Sequence, residues 1–359
     1  MKISPDIFEE LGVRDPEQTQ LEMKIAKKVR QVGKELKTDP YNLEKQLDLA
    51  TYHIDGGNYT EAIKMLKTIL NKDRKNPRIY KLLGTAYVMS EHEDEAILEL
   101  NRARELDPND PEIHFNLGGV YMLKDFYGNA VDSFKAAIEL DPTDTFSYAN
   151  LAAAYDALKS YTDEVAILKK VLMFSPEDKE LRAALGTAYF NASLYDDALN
   201  AALCVVELDE KDPQAHCNLA SCYSVQGMEE EAIETFKKAS ELDPEFSLPH
   251  TNLGSLYATM GRLESAIKEF KTATSINRGD SLAWYNLYNT YKEVGRMEEG
   301  QEAYKMYEKL MNDMNTGDKP DPTGGQATNP SNIPGGVSQT GKLASGGTLD
   351  QKAGTEELG

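Results

Sequence analysis

The sequence has few of the residues that build metal, redox or disulfide chemistry. Its 359 residues include three cysteines, five histidines and one tryptophan. Cys204, Cys217 and Cys222 cannot all pair with one another and show no C-x-x-C spacing, which is typical of a protein from a reducing compartment. The sequence contains no glycine-rich phosphate-binding motif, no G-x-S-x-G and no H-E-x-x-H. We therefore expect no enzyme activity, no metal and no cofactor.

Positive charge and long hydrophobic runs are also scarce. Lys and Arg total 39 against 60 Asp and Glu, and the resulting net charge of -21 repels nucleic-acid backbones and anionic lipid surfaces. No apolar run approaches the roughly 18 residues that a membrane span needs. The first ten residues carry acids and no continuous hydrophobic stretch, which excludes a secretory signal and a transit peptide. We expect a cytoplasmic protein that neither inserts into membranes nor binds nucleic acid.

What the sequence does contain is an internal repeat. Leu-Asp-Pro occurs at 106–108 and again at 140–142, and the pattern between them recurs every 34 residues. With Pro111 numbered as position 1, position 7 is leucine in eight successive units, and position 11 is tyrosine in seven of them. The eight units occupy residues 43–314 without an insertion.

Each unit reads as two amphipathic helices. Positions 4, 7, 8 and 11 share one face at helical spacing, and this face forms an apolar stripe. In the sixth unit a break at Gln226-Gly227-Met228 follows, and Ala232, Phe236 and Ala239 then form a second stripe. A helix, a short turn and a second helix are therefore expected in every unit.

The positions that recur resemble a known family. Leu-Gly at positions 7 and 8, Tyr at 11, Ala at 20, an aromatic residue at 24, Ala at 27 and Pro at 32 together resemble the tetratricopeptide repeat. The resemblance implies an all-α fold, a right-handed solenoid of stacked helix-turn-helix repeats. Glu164 departs from the pattern at position 20. We expect it either to turn outward with a small helix shift or to mark a softer joint in the stack.

The repeats are flanked by two different segments. Residues 1–42 carry a helix pattern after Asp15-Pro16 and read as a half-repeat that caps the first edge. Lysines and arginines on the rest of this helix favour a solvated face over a site for an acidic partner. Residues 315–359 hold ten glycines and four prolines, so we expect a disordered low-complexity tail.

The histidines occupy repeat positions that already demand a planar, partly buried side chain. His114, His216 and His250 stand at position 4, and His53 stands at position 11. Equivalent positions in stacked repeats do not converge on one point. We therefore expect structural roles, and likewise buried thiols at Cys217 and Cys222.

The candidate binding surface lies opposite the apolar stripe of the first helix, where positions 2, 6, 9 and 13 point. Position 6 is asparagine in five of the eight units: Asn116, Asn150, Asn218, Asn252 and Asn286. An asparagine amide can meet a peptide N–H and C=O together. The row resembles the asparagine ladder in the repeat domain of O-linked N-acetylglucosamine transferase, which implies binding of an extended polypeptide. The alternative is that these amides only assist contacts between helices.

Specificity is expected to come from apolar and charged neighbours on the same surface. Met89, Phe115 and Phe146 are candidate anchors for a bound peptide, whereas Met122 and Leu123 more readily seal adjacent helices. Acids outnumber bases here, which favours a neutral to basic partner. The seven acids are Glu44, Asp48, Asp55, Glu112, Asp156, Glu180 and Glu293, and the three bases are Arg78, Lys81 and Lys292.

Two family-based expectations complete the hypothesis. Chaperone-docking members hold an acidic tail with Lys and Arg in consecutive repeats. Here Lys81 and Asn116 match that pattern, but Phe146 and Asn150 stand where bases are needed, so such a clamp is disfavoured. The last unit ends in bulky aromatics, Trp284, Tyr288, Tyr291, Tyr304 and Tyr307, which either leave a C-terminal edge for homo-oligomer contacts or cover it.

The sequence thus predicts a non-catalytic protein–protein interaction module. It would bind an extended or helical segment of a partner in a concave groove and support complex assembly. The alternative function is a structural scaffold that self-assembles through end-to-end repeat contacts.

Overall fold

The computed structural model describes residues 16–316, and all the regular secondary structure in that range is α-helical. The predicted all-α class is confirmed. The first 15 residues, and the part of the expected tail from residue 317 onward, lie outside the described residues. The helices are α1 (Pro16–Thr38), α2 (Leu43–Asp55), α3 (Tyr59–Leu70), α4 (Pro77–Met89), α5 (Glu93–Leu106), α6 (Pro111–Leu123), α7 (Tyr127–Leu140), α8 (Thr145–Ala157), α9 (Tyr161–Phe174), α10 (Lys179–Asn191), α11 (Tyr195–Leu208), α12 (Pro213–Val225), α13 (Glu229–Leu242), α14 (Leu248–Thr259), α15 (Leu263–Ile276), α16 (Ser281–Glu293) and α17 (Met297–Thr316).

The helices form two compact units, each made of several of the 34-residue repeats. The first unit ends at Leu158 and contains α1 to α8, and the second begins at Lys159 and contains α9 to α17. Within each unit, helices that follow one another in the chain pack side by side. The division falls inside the fourth repeat, between its first helix and its second.

Most first helices begin at an acidic or amide cap. Asp110 Oδ1 accepts a hydrogen bond from the backbone N–H of Glu112 at 2.9 Å, and Pro111 occupies the first turn, where no N–H is needed. Asp212 and Pro213 repeat the arrangement at the start of α12. In these two repeats an Asp-Pro pair therefore marks the start of the first helix.

The turn between the two helices of a hairpin uses a left-handed residue in all eight repeats. Glycine supplies it at Gly57, Gly227, Gly261 and Gly295, whereas Glu91, Asp125, Lys159 and Ser193 adopt the same positive φ in the other four. The following N–H then bonds back to the helix; for example, His92 N donates to Tyr87 O at 2.9 Å. The geometry is shared even where the residue is not glycine.

In two hairpins the core brings a glycine against a phenylalanine ring. A Cβ added at Gly118 would lie 2.5 Å from the Phe134 ring, and one at Gly254 would lie 2.7 Å from the Phe270 ring. Phe134 and Phe270 are almost fully buried. Glycine at position 8 therefore lets the two helices approach, and the aromatic residue at position 24 fills the space between them.

Position 4 ties each hairpin to the loop before it. A ring nitrogen of His114 lies 2.8 Å from the carbonyl oxygen of Pro108, and one of His216 lies 2.9 Å from that of Glu210. The Trp284 indole N–H donates in the same way to Arg278 O. These contacts confirm the structural role expected for the two histidines. His250 instead pairs with Glu269, with 2.7 Å between Nδ1 and the carboxylate.

Two further sequence expectations can be checked in the second unit. Cys217 and Cys222 are buried, as expected. Glu164 does not turn outward, because the residue is only 8% exposed. Its helix α9 carries it into the interior of the second unit, so the outward orientation was wrong.

No helix within residues 16–316 is both long and apolar enough to cross a membrane.

Candidate functional site

The candidate site is the surface made by positions 2, 5, 6, 9, 12 and 13 of the first helices, here called the first-helix face. It occurs in both units and is described for each separately. Its character follows from the helix period, because these positions point away from the buried leucines at position 7, such as Leu117 and Leu253.

Two of the five asparagines donate to a hydroxyl of the preceding repeat. In the first unit Asn116 Nδ2 lies 3.3 Å from Thr85 Oγ1, and in the second Asn286 Nδ2 lies 3.3 Å from Ser255 Oγ. Asn116 is only 4% exposed, whereas Asn286 is half-buried. These hydrogen bonds are the helix-to-helix contacts that the alternative interpretation expected. They also hold each amide in one orientation.

The other three asparagines have different partners. Asn252 Nδ2 lies 3.8 Å from Cys217 Sγ of the preceding repeat. Asn150 Nδ2 donates to Phe146 O of its own helix, and Asn218 Oδ1 accepts from Gln214 Nε2. All three are half-buried, so part of each amide faces solvent.

The three apolar candidates divide between the core and the surface. Phe115 packs against the buried ring of Phe134, with 5.9 Å between the ring centroids, so much of its area is already covered. Phe146 is 64% exposed and Met89 is 40% exposed. Leu123, which was expected to seal adjacent helices, is 59% exposed. Of the apolar side chains named for the first-helix face of the first unit, Met89, Leu123 and Phe146 are therefore the exposed ones.

The two bases of this surface in the first unit are held by acids. Arg78 contacts Glu44 at 2.6 Å and Asp48 at 2.9 Å. Lys81 contacts Asp110 at 2.8 Å and Glu112 at 2.6 Å. These ion pairs join successive first helices, so the cations are not available to a partner unless the pairs break.

The environment of Lys81 decides its charge state. Burial by itself lowers the pKa of the Lys81 amine, but its hydrogen bonds to Asp110 and Glu112 outweigh burial and leave the pKa raised. The amine is therefore fully charged at neutral pH and is neutralised by two carboxylates.

The last hairpin of the second unit contains packed aromatic rings. Tyr288 lies 4.9 Å from Tyr304 between centroids, and Tyr285 lies 5.1 Å from Tyr307. Tyr288 stands at position 8, which is glycine or alanine in the seven preceding repeats. Tyr288 therefore meets the Tyr304 ring inside the last hairpin, where the other repeats place a small residue at position 8.

In the part of the chain that the structure describes, no cluster of three or more His, Cys, Asp or Glu side chains is suited to hold a metal ion.

Sequence reasoning located the face but missed what holds its amides. Thr85 and Ser255, the hydroxyl acceptors of Asn116 and Asn286, both stand at position 9. A signal was present, because position 9 is a small or hydroxyl residue in several units. The period alone does not show that this position meets position 6 of the next repeat.

Comparison with known sequences identifies the repeat. Models of the tetratricopeptide repeat match residues 34–86, 53–117 and 94–145 in the N-terminal half. Further models of the same repeat match residues 213–246 and 249–280. No curated protein matches the chain.

Solved structures with similar folds share low sequence identity with this chain. The C-terminal part of a TPR repeat-containing protein from Cytophaga hutchinsonii is 18% identical with a TM-score of 0.56, and the match covers 67% of this chain and 99% of that one. YrrB, described as a TPR protein with an unusual peptide-binding site, is 21% identical over 51% of this chain and 95% of its own, with a TM-score of 0.47. MamA from Desulfovibrio magneticus RS-1 is 23% identical over 47% and 95%, with a TM-score of 0.43.

Proposed function

Because this chain belongs to the tetratricopeptide repeat family, we propose that it is a non-catalytic protein-interaction module that binds an extended or helical segment of a partner protein on its first-helix faces and supports complex assembly. A cytoplasmic location is part of the proposal, and the scarcity of cysteine supports it.

The observation that carries the proposal is the row of half-buried, oriented amides. Asn150, Asn218, Asn252 and Asn286 each use one hydrogen bond to a protein neighbour. An asparagine side chain has two donor hydrogens and two acceptor lone pairs, so groups remain for a ligand. Amides that are already held lose little conformational entropy when a peptide backbone binds them. Asn116, which is buried, contributes mainly by fixing its helix against the preceding one.

Exposed apolar side chains support a peptide ligand in the first unit. Phe146 and Leu123 each leave more than half of their surface in water. Aromatic and aliphatic side chains of this kind act as anchors when a partner covers them. Phe115 is the weaker candidate because it already packs on Phe134.

The ion pairs of the first unit indicate which net charge the partner segment should carry. Lys81 and Arg78 are each bound by two carboxylates, and acids outnumber bases on the first-helix faces by seven to three. An acidic tail would have to displace Asp110 and Glu112 from Lys81. We therefore propose a neutral to basic partner segment.

The experiment compares two sets of three Asn→Ala changes in the full chain. The test set is Asn150, Asn218 and Asn252 on first helices, and the matched control set is Asn101, Asn129 and Asn200 on second helices. Proteins captured by the immobilised chain are identified by mass spectrometry. Loss of a captured protein with the test set, its retention with the control set and equal helical content by circular dichroism are expected. Equal capture by both triple variants would refute the role of the amides.

Self-assembly is measured on the same samples. The tyrosine rings of the last hairpin pack on one another. This packing supports the proposal that the chain does not associate through its C-terminal edge. Light scattering across a dilution series should therefore give one constant mass. A mass that rises with concentration would favour the scaffold alternative instead.

A further inference from the structure

One repeat lacks the large side chain that fills the centre of every other hairpin. Position 24, on the second helix, is Ala202 in the fifth repeat. In the remaining seven it is Leu66, Leu100, Phe134, Leu168, Phe236, Phe270 and Tyr304. Phe134, Phe236 and Phe270 are at most 1% exposed, so this side chain is a central part of the core where it is present.

The residue opposite Ala202 is small as well. Gly186 stands at position 8 of α10, the place where Gly118 and Gly254 meet a phenylalanine ring. A Cβ at Gly186 would have the Cβ of Ala201 as its nearest neighbour, at 3.3 Å, rather than a ring at 2.5 to 2.7 Å. This hairpin therefore keeps the usual glycine at position 8 but lacks the large side chain that such a glycine faces elsewhere.

A pocket lies where that side chain is absent. It lies between α10, α11 and α12 of the second unit and is partly open to solvent. Its inner wall consists of buried small residues: Ala198, Ala202, Val205, Ala215 and Cys222. Thr187 and Asn218 lie at the partly exposed side and belong to the first-helix face. None of its described lining residues carries a charge.

We infer that this pocket binds one leucine- or phenylalanine-sized side chain of a partner segment, whose backbone lies against Asn218. The inference rests on the proposed function and names the anchor that it requires. The occupant follows from the register of the repeats, because a leucine or phenylalanine of the chain itself stands at this position in six of the other seven repeats, and a tyrosine in the last. A charged or polar side chain would lose its hydration among the alanines without gaining a partner.

The surroundings suit an apolar group entering beside a peptide backbone. Binding pockets are typically apolar with a few placed polar groups, as Asn218 and Thr187 are here. Burial raises the pKa of the Cys222 thiol to about 11, which is consistent with a dry inner wall. An apolar cavity of this kind does not hold water well, so its filling by an apolar side chain is favourable.

The pocket can be probed directly in the full chain. Alanine methyl groups are labelled with ¹³C, and the blocked peptides acetyl-Gly-Gly-Leu-Gly-Gly-amide and acetyl-Gly-Gly-Ala-Gly-Gly-amide are titrated while methyl NMR spectra are recorded. The Leu peptide should shift the Ala198, Ala202 and Ala215 methyl signals in a saturable way and leave Ala232 and Ala239 unchanged. The Ala peptide should bind about tenfold to a hundredfold more weakly, as expected for loss of a buried leucine side chain.

Pocket-filling variants provide the second arm. Ala202→Phe and Ala202→Leu place in the fifth repeat the residues found at position 24 elsewhere, and Asn200→Phe adds the same ring on the exposed side of the same helix. The fillers should abolish the Leu-peptide shifts, and Asn200→Phe should retain them. If Ala202→Phe does not fold, Ala202→Leu and the comparison of the two peptides on the unchanged chain still test whether the pocket binds the leucine side chain.

The outcomes separate the pocket from the proposed function. Absence of saturable shifts with the Leu peptide, or shifts that survive both fillers, overturns the pocket whatever the capture experiment shows. The pocket is supported when the Leu peptide gives saturable shifts that the filling variants abolish. If the triple Asn→Ala variant then captures the same proteins as the unchanged chain, the amide-based binding mode is overturned.

Discussion

The same chemical change, Gly→Ala, is expected to have opposite effects at two glycines of this chain. Gly227 ends the first helix of the sixth repeat with φ +74°, whereas Gly128 lies in the first turn of α7, where an added Cβ would meet nothing within 4 Å. A Cβ at positive φ costs about 1–2 kcal/mol. Alanine also reduces the conformational entropy of the unfolded chain, which raises the free energy of unfolding by about 0.4–1 kcal/mol. We expect Gly227→Ala to lower the free energy of unfolding by about 1 kcal/mol, and Gly128→Ala to raise it by about 0.5 kcal/mol.

A third variant tests the same reasoning in reverse. Glu91 occupies the equivalent turn of the second repeat with φ 60°, and its side chain is exposed. Glu91→Gly removes the strain and loses little packing, so we expect a gain of about 0.5 kcal/mol.

The measurement is urea denaturation followed by circular dichroism at the helical band. Repeat proteins do not always unfold in one step, so midpoints are compared only among variants with equal slopes. The reasoning is refuted when Gly128→Ala and Gly227→Ala move the midpoint in the same direction, or when Glu91→Gly destabilises the chain as much as Gly227→Ala does.

Three other predictions concern buried groups. Burial raises the pKa of Cys217 to about 12 and that of Cys222 to about 11, so at pH 8 only the partly exposed Cys204 should react quickly with a disulfide reagent, and equal rates at all three would contradict this. Because the unfolded thiols ionise near pH 9.0 and the folded ones do not, the free energy of unfolding should also fall as the pH rises above that value. Asp280, 7% exposed, caps α16 at Ala283 N and accepts from Thr251 Oγ1 at 2.7 Å. In thermal unfolding Asp280→Ala should lower stability by about 2–3 kcal/mol. The control Asp178→Ala should lower it by about 1 kcal/mol, because Asp178 only caps its helix by accepting from Leu181 N. Equal losses would show that the Thr251 contact does not stabilise the fold.

The sequence by itself determined the helical hairpins, because each depends on local periodicity. Leucine at position 7 and tyrosine at position 11 mark one face of the first helix, and a break such as Gln226-Gly227-Met228 marks its end. These features need no knowledge of distant contacts. The burial of Cys217 does not follow from the helical phase, because position 5 belongs to the first-helix face, yet the residue is only 1% exposed.

Only the tertiary structure decided what neighbouring helices do to one another. The hydrogen bond from Asn116 to Thr85, the inward packing of Phe115 and the burial of Glu164 depend on the distance and rotation between helices, which a 34-residue period does not specify. The substitution at Ala202 is visible in the sequence, but whether α10, α11 and α12 close over the gap or leave a pocket depends on how far the backbone relaxes. The physical reason is that a repeat encodes which face is buried, while the fit between faces is set by all the side chains that meet there.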